Sequence, residues 1–324
     1  MLVRLIPNWN IPNDKSQILK QMPGGRGCWG DISFTFEPVE ECDFVVIYNW
    51  LKENVRVKCP LENIWAIMGE PYIRGFSDWM IVGHDQFNRV YTYCPPSKDN
   101  KYLLAHPLSG SFVRKSYDEL IQCPIPVKSK PLSWVTSNLQ YLPGHKKRMA
   151  FLSFLRRQKT LDFDLFGRGI NYIPDKWDGL APYKYSLVIE NTVNPHYWTE
   201  KVGDCFLAFT LPFYYGCPNL ENYFPTKSFI RIDINRPKEA VEIIKRSIEN
   251  QEWSKRIEAI KESRELLLNK YQTYAFLANE LSKVKKDYSP KKVIELKKFT
   301  IPKAARIYNR LHFLSNYLWS SITS

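Results

Sequence analysis

A short polar stretch in the second half of the chain carries residue types that bind anionic sugar compounds. Residues 190–201 read ENTVNPHYWTEK and bring Glu190, Asn191, Glu200 and Lys201 close together in the sequence. A lysine ammonium binds phosphate as a point charge, and a carboxylate accepts hydrogen bonds from hydroxyl groups. This combination is typical of a site for a nucleoside diphosphate, and core packing does not require it.

The elements on either side of this stretch would direct its polar groups to one place. The apolar segment 185–191 is predicted to be a strand, and a helix is predicted from near Tyr197 to about Ala208. In a parallel sheet the carboxyl end of a strand faces the ligand crevice, and the N–H groups at a helix start bind anions. A capping box, with a cap near residues 195–197 and Glu200 in the first turn, explains the same residues without a ligand. His196 is interpreted as a neighbour of the site and not as a catalyst.

Strand and helix patterns alternate through the second half of the chain, which predicts a parallel α/β sheet. The segment 121–131 is rich in proline and lysine and is interpreted as a linker between two domains. A short helix is predicted at 12–22, with Asn13 or Asp14 as its cap. The predicted strands are 1–6, 31–36, 43–49, 64–69 and 90–93 before the linker, and 132–138, 161–167, 185–191, 211–216 and 228–234 after it. The other predicted helices are 146–158, 197–208 and a helical region at 237–286.

Composition excludes several classes of protein. The 324 residues are 44% hydrophobic, which suits two folded domains with a sizeable core. The seven cysteines are scattered without a CxxC pair and the five histidines are isolated, so neither a disulfide framework nor a zinc site is indicated. No apolar segment has the length of a secretory signal or a membrane span. We therefore expect a cytoplasmic protein.

Positive charge is concentrated near the carboxyl end. The formal net charge of the chain is +13, and residues 283–310 hold ten lysines or arginines against Asp287 and Glu295. Because the rest of the chain is only mildly basic, no nucleic-acid partner is expected. Segment 285–324 is interpreted as a basic amphipathic tail, which either contacts an anionic membrane surface or packs on the body of the protein. Its apolar helix face consists of Ile307, Leu311, Leu314, Leu318 and Ile322.

One region of the chain resembles the donor-binding signature of the α1,3/4-fucosyltransferases. That family has a Tyr-Lys-Phe strand, then Phe-Glu-Asn-Ser, Asp-Tyr-x-Thr-Glu-Lys, a helix and a Gly-x-x-Pro-Val strand. Here residues 183–216 read YKYSLVIENTVNPHYWTEKVGDCFLAFTLPFYYG. Upstream, LSWVTSN at 132–138 and DLFGRG at 164–169 are similar to two further strands of the family. The pattern differs at Thr210 and Leu211, where the family has a small residue followed by valine.

The resemblance implies a fold and a function for each domain. The fold is GT-B, in which two Rossmann-like α/β domains face a cleft. On this basis residues 1–125 form an acceptor-binding domain, residues 126–286 bind a GDP-sugar donor, and residues 287–324 are the basic helical tail.

The resemblance also implies the residues that bind the donor. An arginine normally neutralises the pyrophosphate after the Ser-Asn turn, and here the insertion LQYLPGH at 139–145 separates that turn from the basic residues. We assign Arg148 to this role, with Arg156 and Arg157 as alternatives. The implied donor contacts are Glu190, Asn191, Tyr197, Glu200 and Lys201.

A weaker resemblance in the first half concerns the catalytic base. Residues 69–93, GEPYIRGFSDWMIVGHDQFNRVYTY, are similar to a Glu-x-Pro segment of the family with its following Phe-Asn and Tyr, which implies that Glu70 is the base. An apolar strand ends at this carboxylate, and partial burial would raise its pKa toward neutral pH. A glutamate in a tight turn is the alternative interpretation. The acceptor is expected in the cleft, among the aromatic residues Tyr72, Phe76 and Trp79.

Two short motifs look functional but fail in their context. Gly25, Gly27 and Gly30 form a GxGxxG pattern, yet no strand precedes it and a strand follows, so it is not a dinucleotide-binding turn. Asp162 and Asp164 form a DxD pattern of the kind that binds Mg²⁺ in other glycosyltransferases. Since the strand that holds it is similar to one in a metal-independent family, no metal is expected.

The sequence therefore predicts an inverting glycosyltransferase that moves L-fucose from GDP-fucose to a hydroxyl of a glycan. The resemblance implies α1,3 transfer to N-acetylglucosamine or a related sugar, without a metal or another cofactor. Charge adds the expectation of a lipid-linked glycan acceptor, as in lipopolysaccharide biosynthesis, and of a peripheral position at the inner face of the membrane. The alternatives are the same fold with another GDP-sugar, and a non-catalytic protein that binds polyanions or membranes.

Overall fold

The computed structural model describes residues 1–11, 15–111, 113–159, 161–284, 289–300 and 311. These residues form two compact units, one of Met1–Leu108 with the described residues after Leu277, and one of Ser109–Leu277. The second unit begins ahead of the expected boundary at 125–126, because Val113 and Leu120 pack in its hydrophobic core.

The first unit is an α/β unit with a mostly parallel sheet. Its strands are β1 (Leu2–Pro7), β2 (Cys28–Trp29), β3 (Ile32–Thr35), β4 (Phe44–Tyr48), β5 (Val55–Cys59), β6 (Ile64–Met68), β7 (Arg89–Thr92) and β8 (Tyr102–Leu104), with helix α1 at Ser16–Leu19. The sheet has the order β2-β3-β1-β4-β6-β7-β8, and β2 pairs with β3 in antiparallel orientation while the other pairs are parallel. Every residue of β4 and β6 is buried, as expected for central strands covered on both faces.

The second unit contains a parallel sheet with the order β10-β9-β11-β12-β13. These strands are β9 (Lys130–Val135), β10 (Asp164–Phe166), β11 (Tyr183–Ile189), β12 (Leu211–Tyr215) and β13 (Ile230–Arg231). The helices are α2 (Tyr117–Gln122), α3 (Pro143–Gln158), α4 (Glu200–Leu207), α5 (Pro237–Glu249) and α6 (Glu252–Leu266), with a π-helical turn at Leu267–Tyr271. Helix α7 (Thr273–Ser282) begins in this unit, and its residues from Ala278 onward belong to the first unit. The alternation of strands and helices predicted from the sequence is thus confirmed.

The carboxyl ends of the parallel strands share one edge of the second sheet. Ser137 follows β9, Gly167 follows β10, and Glu190 with Asn191 follows β11. The sequence predicts polar residues at these ends, and the parallel pairing brings them to the same edge.

The carboxyl-terminal part of the chain contains a strand that the sequence does not predict. Strand β14 (Lys292–Leu296) pairs antiparallel with β5, and Lys291 just before it forms ion pairs with Glu41 (3.1 Å) and Asp43 (2.9 Å). The predicted tail helix lies outside the described residues except for Leu311, and the predicted caps at 13 and 14 also lie outside them. Among the helices that the structure describes, none combines the length and apolar character needed to cross a membrane.

Candidate active site

The second sheet has a topological switch point between β9 and β11. From β9 the chain continues to β10 on one side of it and then to β11 on the other side. In open α/β sheets, ligands bind at such a point, outside the carboxyl ends of the strands. Helix α3 follows β9 directly, and helix α4 follows β11 after a ten-residue polar loop at 190–199. The loop that the sequence singles out therefore lies where the topology favours a ligand.

Thr199 caps helix α4 and connects it to the end of β11. The Thr199 hydroxyl accepts a hydrogen bond from the Lys201 backbone N–H (3.4 Å) and donates one to the Glu190 carboxylate (2.8 Å). The Thr199 backbone N–H donates to the same carboxylate over 2.9 Å. Glu190 is buried, and a Cβ on Gly216 would collide with its side chain. The cap that the sequence places near residues 195–197 is thus found at Thr199.

The first turn of α4 carries a network of buried and half-buried charges. The Lys201 ammonium lies 3.3 Å from Glu190 and 3.6 Å from Glu200. A second lysine, Lys176, lies 3.5 Å from Glu200 and 3.1 Å from Asp204. Five side chains are therefore joined in a row in which acidic and basic groups alternate.

The charges of this network hold one another ionised. Burial opposes ionisation of Glu200, but the charges of Lys201 and Lys176 outweigh it and lower the pKa of the Glu200 carboxyl to about 2. Burial also opposes the charge of each lysine, yet the neighbouring carboxylates raise the pKa of Lys201 and of Lys176. Asp204 is the exception, because burial raises the pKa of its carboxyl even though Ser111 donates a 2.8 Å hydrogen bond to it.

Arg148 joins the ends of β9 and β11. Its guanidinium donates to Asn191 Oδ1 over 2.8 Å and to the Ser137 carbonyl and hydroxyl oxygens over 3.2 Å. The side chain is only 3% exposed, and burial lowers the pKa of Arg148. The alternatives Arg156 and Arg157 are exposed in the last turn of α3, at the opposite end of the helix. The structure thus brings Arg148, and neither alternative, to the switch point.

The loop before α4 is held by side chains of the same unit. His196 has a left-handed backbone with φ of 63°, and its backbone N–H donates to Asn219 over 2.8 Å. Its Nδ1 lies 2.8 Å from the Tyr223 hydroxyl. These contacts assign His196 a structural role in the loop, in line with the sequence interpretation. Tyr197 is 2% exposed, so the predicted donor contact is a buried ring.

In the first unit, Glu70 follows the carboxyl end of β6. Its backbone carbonyl accepts a hydrogen bond from the Tyr93 hydroxyl (3.2 Å), and the preceding Gly69 N–H donates to Asn49 Oδ1 (2.9 Å). The expectation that Glu70 is partly buried is wrong, because the residue is exposed. The backbone around Glu70 is thus fixed at the strand end, and the residue itself is exposed.

Aromatic side chains surround the same edge of the first sheet. Tyr72 and Trp79 are half-buried and Phe76 is 57% exposed, all in the loop after β6. Trp9, which the sequence reasoning missed, follows β1, is 46% exposed and packs edge-on against Tyr48 at 5.3 Å. Exposed aromatic rings at strand ends form flat apolar surfaces of the kind that carry a ligand.

The GxGxxG and DxD patterns, which the sequence analysis rejected as ligand sites, lie outside these surfaces. The Oδ2 atom of Asp164 accepts hydrogen bonds from Lys130 (2.8 Å) and Tyr183 (2.6 Å). Among the described residues, no cluster of three or more His, Cys, Asp or Glu side chains could hold a metal ion. The glycine pattern at 25–30 leads into β2 and not into a helix.

The sequence analysis did not single out three residues of this network: Lys176, Asp204 and Thr199. Lys176 lies in a short 3-10 turn (Lys176–Gly179) that the sequence shows only as a loop, and Asp204 reads as an ordinary polar position of α4. The spacing of Glu200 and Asp204, one helical turn apart, was the available signal, since it places two carboxylates on one face.

Comparisons with known proteins find fucosyltransferases that are similar to this part of the chain. The C-terminal domain of "Glycosyltransferase family 10 (fucosyltransferase)" matches residues 125–256. A 4-galactosyl-N-acetylglucosaminide 3-alpha-L-fucosyltransferase 9 from Mus musculus is 33% identical over 127 residues, which are 37% of this chain and 34% of that protein. An alpha-(1,3)-fucosyltransferase FucT from Helicobacter pylori is 36% identical over 74 residues, 22% of this chain and 16% of that protein. The matched region thus spans about a third of the length of the mouse relative and a smaller share of the Helicobacter pylori relative.

The fold is shared over more of the chain. The crystal structure of an alpha1,3-fucosyltransferase with GDP-fucose aligns with 90% of this chain and 92% of that one, with a TM-score of 0.52 and 18% sequence identity. At this identity the alignment shows the fold alone, and it confirms the GT-B class expected from the sequence. Residues 125–256 of the chain are thus similar to the C-terminal domain of glycosyltransferase family 10, the fucosyltransferases.

Proposed function

We propose that this protein transfers L-fucose from GDP-fucose to a hydroxyl of a glycan acceptor, with inversion at the anomeric carbon. The observation that carries the proposal is the meeting of Arg148 and Lys201 with the starts of α3 and α4 at the switch point of a domain similar to that of family 10. Helix starts and cations together favour a diphosphate group.

Short-range hydrogen bonding, and not net charge, would select the donor. The positive charges of Lys201 and Lys176 are paired with carboxylates of the network, whereas Arg148 donates to the uncharged acceptors of Asn191 and Ser137. A diphosphate therefore gains its binding energy from directed N–H donors in a site that is already ordered. We propose that Glu200 and Asn191 orient hydroxyl groups of the donor sugar and that the buried ring of Tyr197 forms one wall of the donor site.

Departure of GDP is the step that the second unit would assist. Negative charge grows on the leaving phosphate as the bond to the sugar breaks, and preorganised donors stabilise such charge. Arg148, Lys201 and the helix N–H groups supply these donors, so we propose that the reaction needs no metal. Transfer in the presence of EDTA would then match transfer without it.

Glu70 is proposed as the base that removes the proton of the acceptor hydroxyl. Its place after the end of β6, the fixed backbone on both sides and its exposed carboxylate support this role. An ordinary carboxylate is basic enough when the hydroxyl oxygen becomes acidic during attack on an oxocarbenium-like centre. Trp9, Tyr72, Phe76 and Trp79 are proposed to pack against acceptor sugars.

The acceptor is proposed to be a glycan or lipid-linked glycan with an N-acetylglucosamine 3-hydroxyl or a related group. Support comes from the mouse relative, which by its name acts on a 4-galactosyl-N-acetylglucosaminide. A cytoplasmic location with peripheral membrane contact is proposed from the basic tail. In its described part Lys292, Lys297 and Lys298 are exposed; Lys297 forms an ion pair with Glu295, and Lys291 is paired with Glu41 and Asp43.

The test is a transfer assay with GDP-fucose and a panel of acceptors that contain N-acetylglucosamine. We expect an α-linked product, identified by the proton coupling of the new anomeric centre. Transfer from GDP-mannose but not from GDP-fucose would favour the alternative donor. Salt-sensitive binding to polyanions without any transfer or GDP binding would favour the non-catalytic alternative.

A further inference from the structure

The insertion at 139–145 leads into a helix start without a side-chain cap. Helix α3 begins at Pro143, and its N-cap residue Leu142 has no side chain able to accept a hydrogen bond. The helix has 16 residues, so its dipole is fully developed at this end. A Cβ on Gly144 would collide with the carbonyl oxygen of Asn191, so the first turn of α3 lies directly against the end of β11.

Two buried groups at this helix start have polar atoms that no described residue satisfies. His145 and Arg148 are each 3% exposed. Within the described part of the chain, Nδ1 of His145 and Nε of Arg148 have no hydrogen-bond partner. Residues three apart on a helix share a face, so both atoms belong to the same side of α3. Leaving buried polar atoms unpaired is costly, which points to a partner supplied by a ligand.

The surroundings of His145 favour an anionic partner. Burial, followed by the charges of Arg148 and Lys201, lowers the pKa of His145 to about 4. Arg148 belongs to the same helix and Lys201 to α4, while Tyr141 from the insertion packs edge-on against the ring at 4.7 Å. The imidazole is therefore neutral at neutral pH and has one N–H to donate. Phosphate oxygens would accept that bond and would also offset the two cations.

We propose that His145 is a further binding residue for the diphosphate of the donor, donating a hydrogen bond to a phosphate oxygen beside Arg148. Tyr141, which is 58% exposed, packs against the imidazole ring and would hold it in place. This inference rests on the proposed function, because it takes the ligand to be a nucleoside diphosphate. It adds a contact from a segment that the resemblance leaves unassigned.

The test is calorimetric titration of GDP, pyrophosphate and guanosine into the full chain and two variants. His145→Phe keeps a ring against Tyr141 and removes the N–H. We expect it to weaken binding of GDP and of pyrophosphate about tenfold or more and to leave guanosine unchanged. His145→Asn, which restores an N–H donor, is expected to recover part of the loss.

Proton uptake separates binding from a merely structural role. Because a bound diphosphate raises the pKa of a nearby imidazole, GDP binding at pH 6 should take up more protons, or release fewer, in the wild type than in a variant without the imidazole. Titration in two buffers with different ionisation enthalpies measures this number, which His145→Phe should reduce. His84→Phe is the control, since His84 is also buried with an Nδ1 that lacks a partner among the described residues, but lies in the first unit.

The outcomes distinguish this inference from the proposed function. If the wild type binds GDP and His145→Phe binds GDP and pyrophosphate equally well, the role of His145 is wrong and the proposed function stands. An equal loss for guanosine would also overturn it, because the residue would then only support the fold. If the wild type binds neither GDP nor pyrophosphate, the proposed function and this inference both fail.

Discussion

At the scale of single residues, Lys201 connects the network of buried charges with the capped start of helix α4. Its ammonium contacts the buried Glu190 and the Glu200 carboxylate, and its backbone N–H is bound by the Thr199 cap. The same side chain is proposed to meet the donor phosphate. Its removal would therefore affect both the stability of the protein and the affinity for nucleotide.

Lys201→Gln is predicted to weaken binding of GDP about tenfold or more, because a charged donor to the phosphate is lost. It should also lower the free energy of unfolding by about 1–3 kcal/mol, since Glu190 stays buried without its cation. Calorimetric titration and urea denaturation measure the two effects. Lys255→Gln is the control, because Lys255 forms an exposed ion pair on α6. Unchanged GDP affinity in Lys201→Gln would contradict the assigned contact.

Glu200 predicts a pH dependence of stability. Its carboxyl has a pKa of about 2 in the folded chain against an ordinary value of 4.5, so the unfolded chain binds this proton more readily. The ionised group therefore stabilises the fold above pH 4.5, and this contribution is lost as the pH falls toward 2. Glu200→Gln should flatten the decline of the free energy of unfolding in that window. Glu258→Gln, on an exposed position of α6, serves as control and should leave the decline as it is.

Glu70→Gln is predicted to lower kcat of transfer by about 10²–10⁴-fold, the usual contribution of a general base. The melting temperature and the KM for GDP-fucose should stay near those of the wild type, because Glu70 is exposed and belongs to the other compact unit from the donor residues. Steady-state kinetics and thermal unfolding test this separation. Retention of most of kcat would assign the base to another residue.

At the scale of elements, the caps decide how the two helices present their N–H groups. Thr199 satisfies the start of α4 and also holds Glu190, whereas α3 starts without a side-chain cap. A helix start that is already capped binds anions mainly through its remaining N–H groups and its dipole. We therefore assign α4 the task of positioning side chains and α3 the task of binding phosphate through its backbone.

Thr199→Ala is predicted to lower the free energy of unfolding by about 1–2 kcal/mol, as loss of an N-cap usually does. It should weaken GDP binding as well, because Glu190 and Lys201 lose a shared partner. Ser116→Ala is a matched control: Ser116 caps α2 with a capping box in the same unit, away from the donor residues. We expect the control to lose similar stability with unchanged GDP affinity. Equal affinity in both variants would contradict the role of Thr199.

Local patterns predicted the strands of the second unit well because each is a short apolar run followed by a polar turn, whereas helix α2 of this unit was not predicted. Strand β5 and strand β14 escaped prediction for a physical reason. Their residues alternate in burial and carry many charges, and their pairing joins Val55 with Leu296, far apart in the sequence. Pairing over such a separation leaves no local signal. The weakly apolar strand β14 is stabilised by its partner strand.

At the scale of the whole molecule, the residues proposed to bind the donor all lie in one unit, but the sequence could not show the network that joins them. Arg148 of α3 contacts Asn191, which follows β11, because the parallel strands bring both residues to one edge of the sheet. The row of charges also includes Lys176 and Asp204. Lys176 is positioned by a 3-10 turn, and Asp204 lies on a buried face of α4. Burial of each residue follows from tertiary packing, which is also why the exposure of Glu70 could not be predicted.

The most direct measurement is the thermal stability of the full chain with GDP, GDP-fucose, GDP-mannose, UDP-galactose and CMP-sialic acid, each with and without EDTA. A ligand that binds only the folded state raises the melting temperature. The account predicts a rise with GDP, a larger rise with GDP-fucose, no effect of EDTA, and a much smaller response in Arg148→Gln. The absence of a response to every guanine nucleotide would contradict a donor site at the switch point of the second sheet.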